Sequence, residues 1–267
     1  MLNDITLGQY FPINSPIHRL DPRTKLLLLV LLIVAIFLAD SALTCGLVTL
    51  LTLTIALLSR VSLKTYIRGL KPILFVIIFT AILNIFLTTG TKIELFGYQT
   101  PITVEGLILA GKMALRLVLL IFASSALTYT TSPIALTDGI EKLLSPFAKL
   151  GLPTFELAMM MSIAIRFIPT LIEETDKIMK AQKARGADFE SGSLIRRVKA
   201  LAPMLIPLFI SAFRRADDLA VAMESRCYQG GSLRTRLNEI HFAGIDLIAA
   251  CIFLVVFAAV MVLRFFL

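Results

Sequence analysis

The chain is poor in the residues that build catalytic and metal centres, with two histidines and three cysteines. His18 and His241 lie far apart, so neither a metal cluster nor any other cofactor is expected. No serine, histidine or aspartate stands in the context of an activated nucleophile, which argues against an enzyme. Cys45 and Cys251 sit inside apolar runs and Cys227 at a polar helix end, a spacing that suggests no disulfide framework. Charge is also scarce, at 16% of residues against 57% hydrophobic, and the mean hydropathy is +0.87. Such a chain of 267 residues is too apolar for a soluble globular protein and reads as an integral membrane protein. Its first residues lack a charged segment leading into a short apolar core, so the first apolar run is expected to stay as a membrane helix.

What is present is an ordered alternation of apolar runs and basic segments. Asp21-Pro22 suits a helix start. Leu26 to Ala39 and Ala42 to Leu58 predict a spanning hairpin. Arg60, Lys64, Arg68 and Lys71 then recur at helical spacing and predict an interfacial helix. Pro72 to Thr88, Leu107 to Tyr129 and Ile245 to Leu263 complete about five spans, with a turn-rich loop around Phe96-Gly97-Tyr98 as a possible hairpin. Lys112 and Arg116 lie at costly depth, where snorkelling and a buried pairing stand as equal alternatives. The net charge of +8 lies between apolar blocks and not on one polar face, so membrane orientation explains it better than a nucleic-acid partner does. Of 26 Lys and Arg, 22 fall in the N-terminus, in residues 60–71 and in residues 142–236. The N-terminus and the insert are therefore expected in the cytoplasm. The expected division is a membrane part over 1–130, a cytoplasmic coupling domain over 131–240 and a final span over 241–267.

Inside the insert, Thr154 to Ala184 and Leu194 to Tyr228 predict two long helices. The first is expected to kink at Pro169 and the second to bend or break near Pro203 and Pro207, with Asp188 to Ser193 as a turn and Gly230-Gly231 as the final stop. A shift of 41 residues lays Arg185 on Arg226, Ala184 on Ser225 and Asp176 on Asp217. It also sets Glu173-Glu174 against Arg214-Arg215, so side-by-side packing in that register would pair them. Each helix thus ends in a cation flanked by small residues, Ala184-Arg185-Gly186 and Ser225-Arg226-Cys227. Guanidinium groups suit carboxylates and carbonyls, and their repetition implies a partner of approximate two-fold symmetry.

Two other motifs carry little. Gly106 to Lys112 resembles the start of a phosphate loop, but Met113 stands where Ser or Thr must hold magnesium. Met159-Met160-Met161 reads as adaptable packing. The rival readings are a membrane enzyme using Glu173, Glu174 and Asp176, and a self-sufficient channel. Both lack converging polar residues.

With His18-Arg19-Leu20-Asp21-Pro22-Arg23-Thr24-Lys25, Ala184-Arg185-Gly186 and Ser225-Arg226-Cys227 in view, the whole chain resembles the transmembrane T component of energy-coupling factor transporters. The resemblance implies an all-α polytopic membrane protein whose two arginine tips dock into two ABC-type ATPase subunits. Ser225 and Cys227 depart from the Ala and Gly of that pattern, which implies non-identical ATPases. It further implies a substrate-binding S component in the cell membrane for uptake of a vitamin or other micronutrient, or alternatively a dedicated cobalt or nickel permease.

Overall fold

The computed structural model describes residues 10–95, 98–151, 153–187, 194–228 and 241–266. They fall into two compact units, residues 10–139 with 241–266 and residues 140–228.

In the first unit, α1 (Pro22–Leu38) begins where the Asp21 side chain accepts from the Arg23 amide and Pro22 fills the first turn. That position has no amide to satisfy, which suits proline. A capping box between Ser41 and Thr44 opens α2 (Ala42–Leu58). The short basic α3 (Leu63–Leu70) runs into α4 (Leu74–Leu87) across a 60° bend. An antiparallel hairpin of β1 (Lys92–Leu95) and β2 (Tyr98–Thr103) links α4 to α5 (Val104–Thr130). Phe96 and Gly97 lie outside the described residues. α9 (Gly244–Phe266) closes the unit.

α5 is the hub, packed against α1, α2, α3 and α4, while α9 lies on α1 and α2. Leu32, Ala35, Ile36, Val48, Leu119, Ala123 and Val260 form the main core. Its small residues let helices approach closely, as membrane packing by van der Waals contact requires. Tyr66 of α3 is fully buried, stacked on Phe122 and edge-on to Tyr129, both at 5.2 Å. Its hydroxyl lies 3.1 Å from Ser59 Oγ, which satisfies the polar tip. α4 buries no residue, consistent with an apolar helix facing lipid.

α5, α9 and α7 (Thr154–Ala184) are long and apolar enough to cross a membrane, and the bent α3–α4 pair counts as a fourth. α1 and α2 have 17 residues each, about 25 Å at 1.5 Å per residue, near the lower limit for a span. The protein is an all-α polytopic membrane protein with one small hairpin.

α6 (Pro133–Leu144) passes into a 3₁₀ turn over Ser145–Leu150 that ends at Gly151, whose φ is 88°. The second unit takes in the end of α6 and this turn, and is built mainly of α7 and α8 (Leu194–Glu224). The break expected near Pro203 and Pro207 does not occur: α8 continues as helix through both prolines, as α7 does through Pro169. Pro207 cannot donate to the Pro203 carbonyl, and the Gln182 side-chain amide of α7 donates to it instead at 3.3 Å. A neighbouring helix thereby supplies the bond that proline removes. The expected turn at Asp188 to Ser193 lies outside the described residues.

Candidate functional site: two capped helix tips

α7 and α8 pack antiparallel. Met159 near the start of α7 meets Tyr228 beyond the end of α8, with the tyrosine hydroxyl 2.8 Å from the thioether sulfur. Gln182 near the end of α7 meets Pro203 near the start of α8. The two arginine ends therefore point opposite ways. Arg185 stands level with the start of α8, about 24 residues and hence about 36 Å along the axis from Arg226.

Each tip is closed by the same bonds. In the first, the Ala187 amide donates to Gln182 O and the Gly186 amide to Lys183 O, both at 3.0 Å. In the second, the Tyr228 amide donates to Met223 O at 3.0 Å and the Cys227 amide to Glu224 O at 2.9 Å. Every donor and acceptor in one set maps onto the other by the 41-residue shift. This double bond is the Schellman closure, which needs a left-handed residue just past the cap. Gly186 (φ 87°) and Cys227 (φ 56°) supply it. α8 thus stops at Glu224, before Gly230-Gly231, which lie outside the described residues. Glycine takes a left-handed φ freely, whereas an L side chain there costs about 1–2 kcal/mol. Ala184, Arg185, Gly186, Ser225, Arg226 and Cys227 are all exposed. Both guanidinium groups are free to meet a carboxylate or a helix C-terminus on another protein.

Between the tips lies a polar clasp. Arg215 Nη2 donates to Glu174 Oε2 at 2.6 Å, and the Ser211 hydroxyl donates to Glu174 Oε1. The Ser211 bond first, and the Arg215 charge with it, hold the Glu174 carboxyl below the usual carboxylate range. Glu173 and Arg214, expected to pair in the same register, form no ion pair with each other. The cause is facing: consecutive helical residues point about 100° apart, and Glu174 and Arg215 are half-buried whereas Glu173 and Arg214 are exposed. A groove lined by Ile163, Phe167, Ala212, Ala216, Leu219 and Met223 runs beside it toward Tyr228.

The membrane unit contains polar networks whose partners are remote in sequence. Lys25 is 8% exposed, and its three ammonium protons meet Thr130 O (2.9 Å), His18 O (3.2 Å) and Thr131 Oγ1 (3.3 Å). It thus satisfies the C-terminal end of α5. Buried Asp246 accepts from the Asp21 amide and the Ala243 amide, each at 2.8 Å, tying α9 to the start of α1. Arg23 forms an ion pair with Asp21 at 2.8 Å and lies 4.0 Å over the Phe242 ring. His18 Nε2 donates to Phe11 O at 2.9 Å, which leaves Nδ1 to accept from the Ser15 hydroxyl at 2.7 Å. Burial, the larger influence, outweighs that carbonyl and lowers the imidazole below its ordinary pKa of 6.5.

At the opposite end, Lys112 Nζ donates to Asp40 O at 2.6 Å, and Arg116 donates to Phe37 O at 3.1 Å and lies 3.5 Å from the Asp40 carboxylate. Both cations thus have partners at the end of α1, but the pairing is not a buried one, since Lys112 and the Asp40 carboxylate are exposed. The structure also disposes of the phosphate-loop likeness, because Gly106, Gly111 and Lys112 are all within helix α5. Asp40 and Asp246 were missed as site residues, although each is an isolated carboxylate beside an apolar run.

Residues 13–237 match the family described as Cobalt transport protein (CbiQ). Three relatives are each described as "Energy-coupling factor transporter transmembrane protein EcfT". The Clostridium kluyveri protein is 55% identical over 94% of this chain and 93% of its own. The Ruminiclostridium cellulolyticum protein is 51% identical over 99% of both chains. The Bacillus subtilis protein is 48% identical over 98% of both. Similarity this high over full length, on a fold of the expected class, leaves one reading: the chain belongs to the EcfT family of energy-coupling factor transporter transmembrane proteins, and is a non-catalytic membrane component of a transporter.

Proposed function

We propose that this chain is a mechanical coupler between two ATP-hydrolysing subunits and a substrate-binding membrane subunit. Ala184-Arg185-Gly186 and Ser225-Arg226-Cys227 dock on one ATPase each, and nucleotide-driven approach of the ATPases moves the two tips. The antiparallel pair α7–α8 carries that displacement through the Glu174–Ser211–Arg215 clasp. Exposed apolar side chains on the same helices, among them Met160, Ile206, Phe209 and Phe213, hold the substrate-binding subunit. The matched closure of the two tips is the observation that supports this reading. One structural device, used twice and pointing in opposite directions, suits two related partners and has no evident use for a single one. Cys227 in place of glycine makes the second tip unlike the first, so the two ATPases are expected to be non-identical.

The distribution of Lys and Arg supports a cytoplasmic N-terminus and a cytoplasmic coupling domain over residues 131–240. Uptake of a vitamin or other micronutrient is the first reading, which the family resemblance implies. The match to the Cobalt transport protein family favours the second reading, a dedicated cobalt or nickel permease subunit. Purification of the full chain from its native membrane, with mass-spectrometric identification of its companions, tests the proposal. Two ATPases and one or more small membrane proteins are expected. Several different small proteins would indicate a shared vitamin module, and a single metal-selective one the permease. Recovery without any ATPase would refute the coupler.

A further inference from the structure

The membrane unit carries polar contacts at two levels, repeated on three helices. At one level, Asp246 of α9 meets Asp21 before α1, and Lys25 of α1 meets Thr130 of α5. At the other, Arg264 of α9 and Arg116 of α5 meet Asp40 after α1, at 3.6 and 3.5 Å, while Lys112 holds the Asp40 carbonyl. Asp246 to Arg264, and Lys112 to Thr130, are each about 18 residues, which is about 27 Å at 1.5 Å per residue. A bilayer hydrocarbon core is about 30 Å thick. The two levels therefore coincide with the two lipid headgroup layers, since charged groups avoid the apolar interior between them.

The two sets of contacts differ in charge balance. Near the N-terminus, the carboxylates of Asp21 and Asp246 stand with the cations Arg23 and Lys25. At the far level, Lys112, Arg116 and Arg264 surround the single carboxylate of Asp40. That carboxylate is itself 62% exposed, and Arg264 is 46% exposed. Phe265 and Phe266 follow it, exposed and in edge-to-face contact, as side chains at a lipid interface are.

From this excess of cation at headgroup depth, we propose that the cluster of Lys112, Arg116 and Arg264 around Asp40 is a binding site for the phosphodiester of an anionic phospholipid. Arg264 is the donor best placed to turn toward the lipid, because its contact with Asp40 is long and half open to the surroundings. Arg116 and Lys112 are committed to the end of α1 and act by their charge. Asp40 competes with the lipid phosphate for the same cations.

The test uses the full chain in mixed micelles containing equimolar phosphatidylglycerol and phosphatidylcholine, with retained lipids counted by native mass spectrometry. Retained phosphatidylglycerol is expected to exceed phosphatidylcholine. Arg264→Gln, on an exposed last turn, is expected to lower that excess about fivefold, the effect of one basic residue near an anionic lipid surface. Asp40→Asn is expected to raise it by removing the competing carboxylate. Excess inorganic phosphate is expected to leave it unchanged, because the acyl chains of a bound lipid add to its hold. Equal retention of the two lipids, an Arg264→Gln variant with undiminished excess, a fall in Asp40→Asn, or displacement by inorganic phosphate would each overturn the assignment.

Discussion

Exchanging the two residues that close the tips, Gly186 and Cys227, probes the closures without touching either arginine. Both are left-handed, with φ of 87° and 56°. A Cβ at Gly186 would meet nothing within 4 Å, so Gly186→Cys changes backbone energetics alone. A left-handed L residue costs about 1–2 kcal/mol, and the gain from restricting the unfolded chain offsets roughly 0.5–1 of it. The net loss is about 0.5–1 kcal/mol. Cys227→Gly is expected to gain a similar amount, or slightly less. Because the tips are about 36 Å apart along the pair, the two changes should add, and the double exchange should return near the starting stability. Hydrogen exchange at the closing amides of Gly186 and Ala187, and of Cys227 and Tyr228, reads these energies locally. Exchange at the first tip should quicken about two- to fivefold in Gly186→Cys and at the second should slow in Cys227→Gly. Unchanged exchange at Ala187, or faster exchange at Tyr228 in Cys227→Gly, would refute the reasoning that left-handed residues set these closures.

Three other outcomes are expected. A double-mutant cycle on Glu174→Gln and Arg215→Gln should give a coupling of about 0.5–1 kcal/mol in thermal melts, as for a partly exposed pair, and Glu173→Gln with Arg214→Gln should give none. Asp246→Ala leaves the buried Asp21 amide without its acceptor and should cost about 1–3 kcal/mol, read as a lower melting temperature in detergent. His18 has a lowered pKa when folded, so the unfolded chain binds more protons below about pH 6.5. The stability it contributes is complete above that pH and is lost as the pH falls further. His18→Gln should flatten this part of a melting-temperature profile.

Much of the architecture was legible because membrane helices announce themselves by apolar length, and Asp21-Pro22 marks a helix start by residue type. The repeat around Arg185 and Arg226 was legible as spacing, yet a fixed shift does not encode packing direction. Nor does it say which of two consecutive residues faces the neighbouring helix, and here only Glu174 and Arg215 do. The prolines of α8 suggested a break because the rescue of Pro203 O by Gln182 comes from another helix. Cys227 could not be read as a left-handed cap, since nothing local distinguishes it from an ordinary small residue. The roles of Lys25 and Asp246 depend on partners about a hundred residues or more away, at Thr130 and Asp21.

The central claim is that Arg185 and Arg226 each hold an ATPase. A charge-assisted hydrogen bond contributes roughly 1.5–3 kcal/mol, so each single alanine variant should weaken capture about 10- to 100-fold, and the double variant should abolish it. The decisive measurement is the amount of each ATPase that co-purifies with Arg185→Ala, Arg226→Ala and the double variant, together with ATP-dependent uptake by the reconstituted complex. Loss of one particular ATPase with each single change, and of uptake with both, is the predicted result. A double variant that retains both ATPases and still drives uptake would contradict the account.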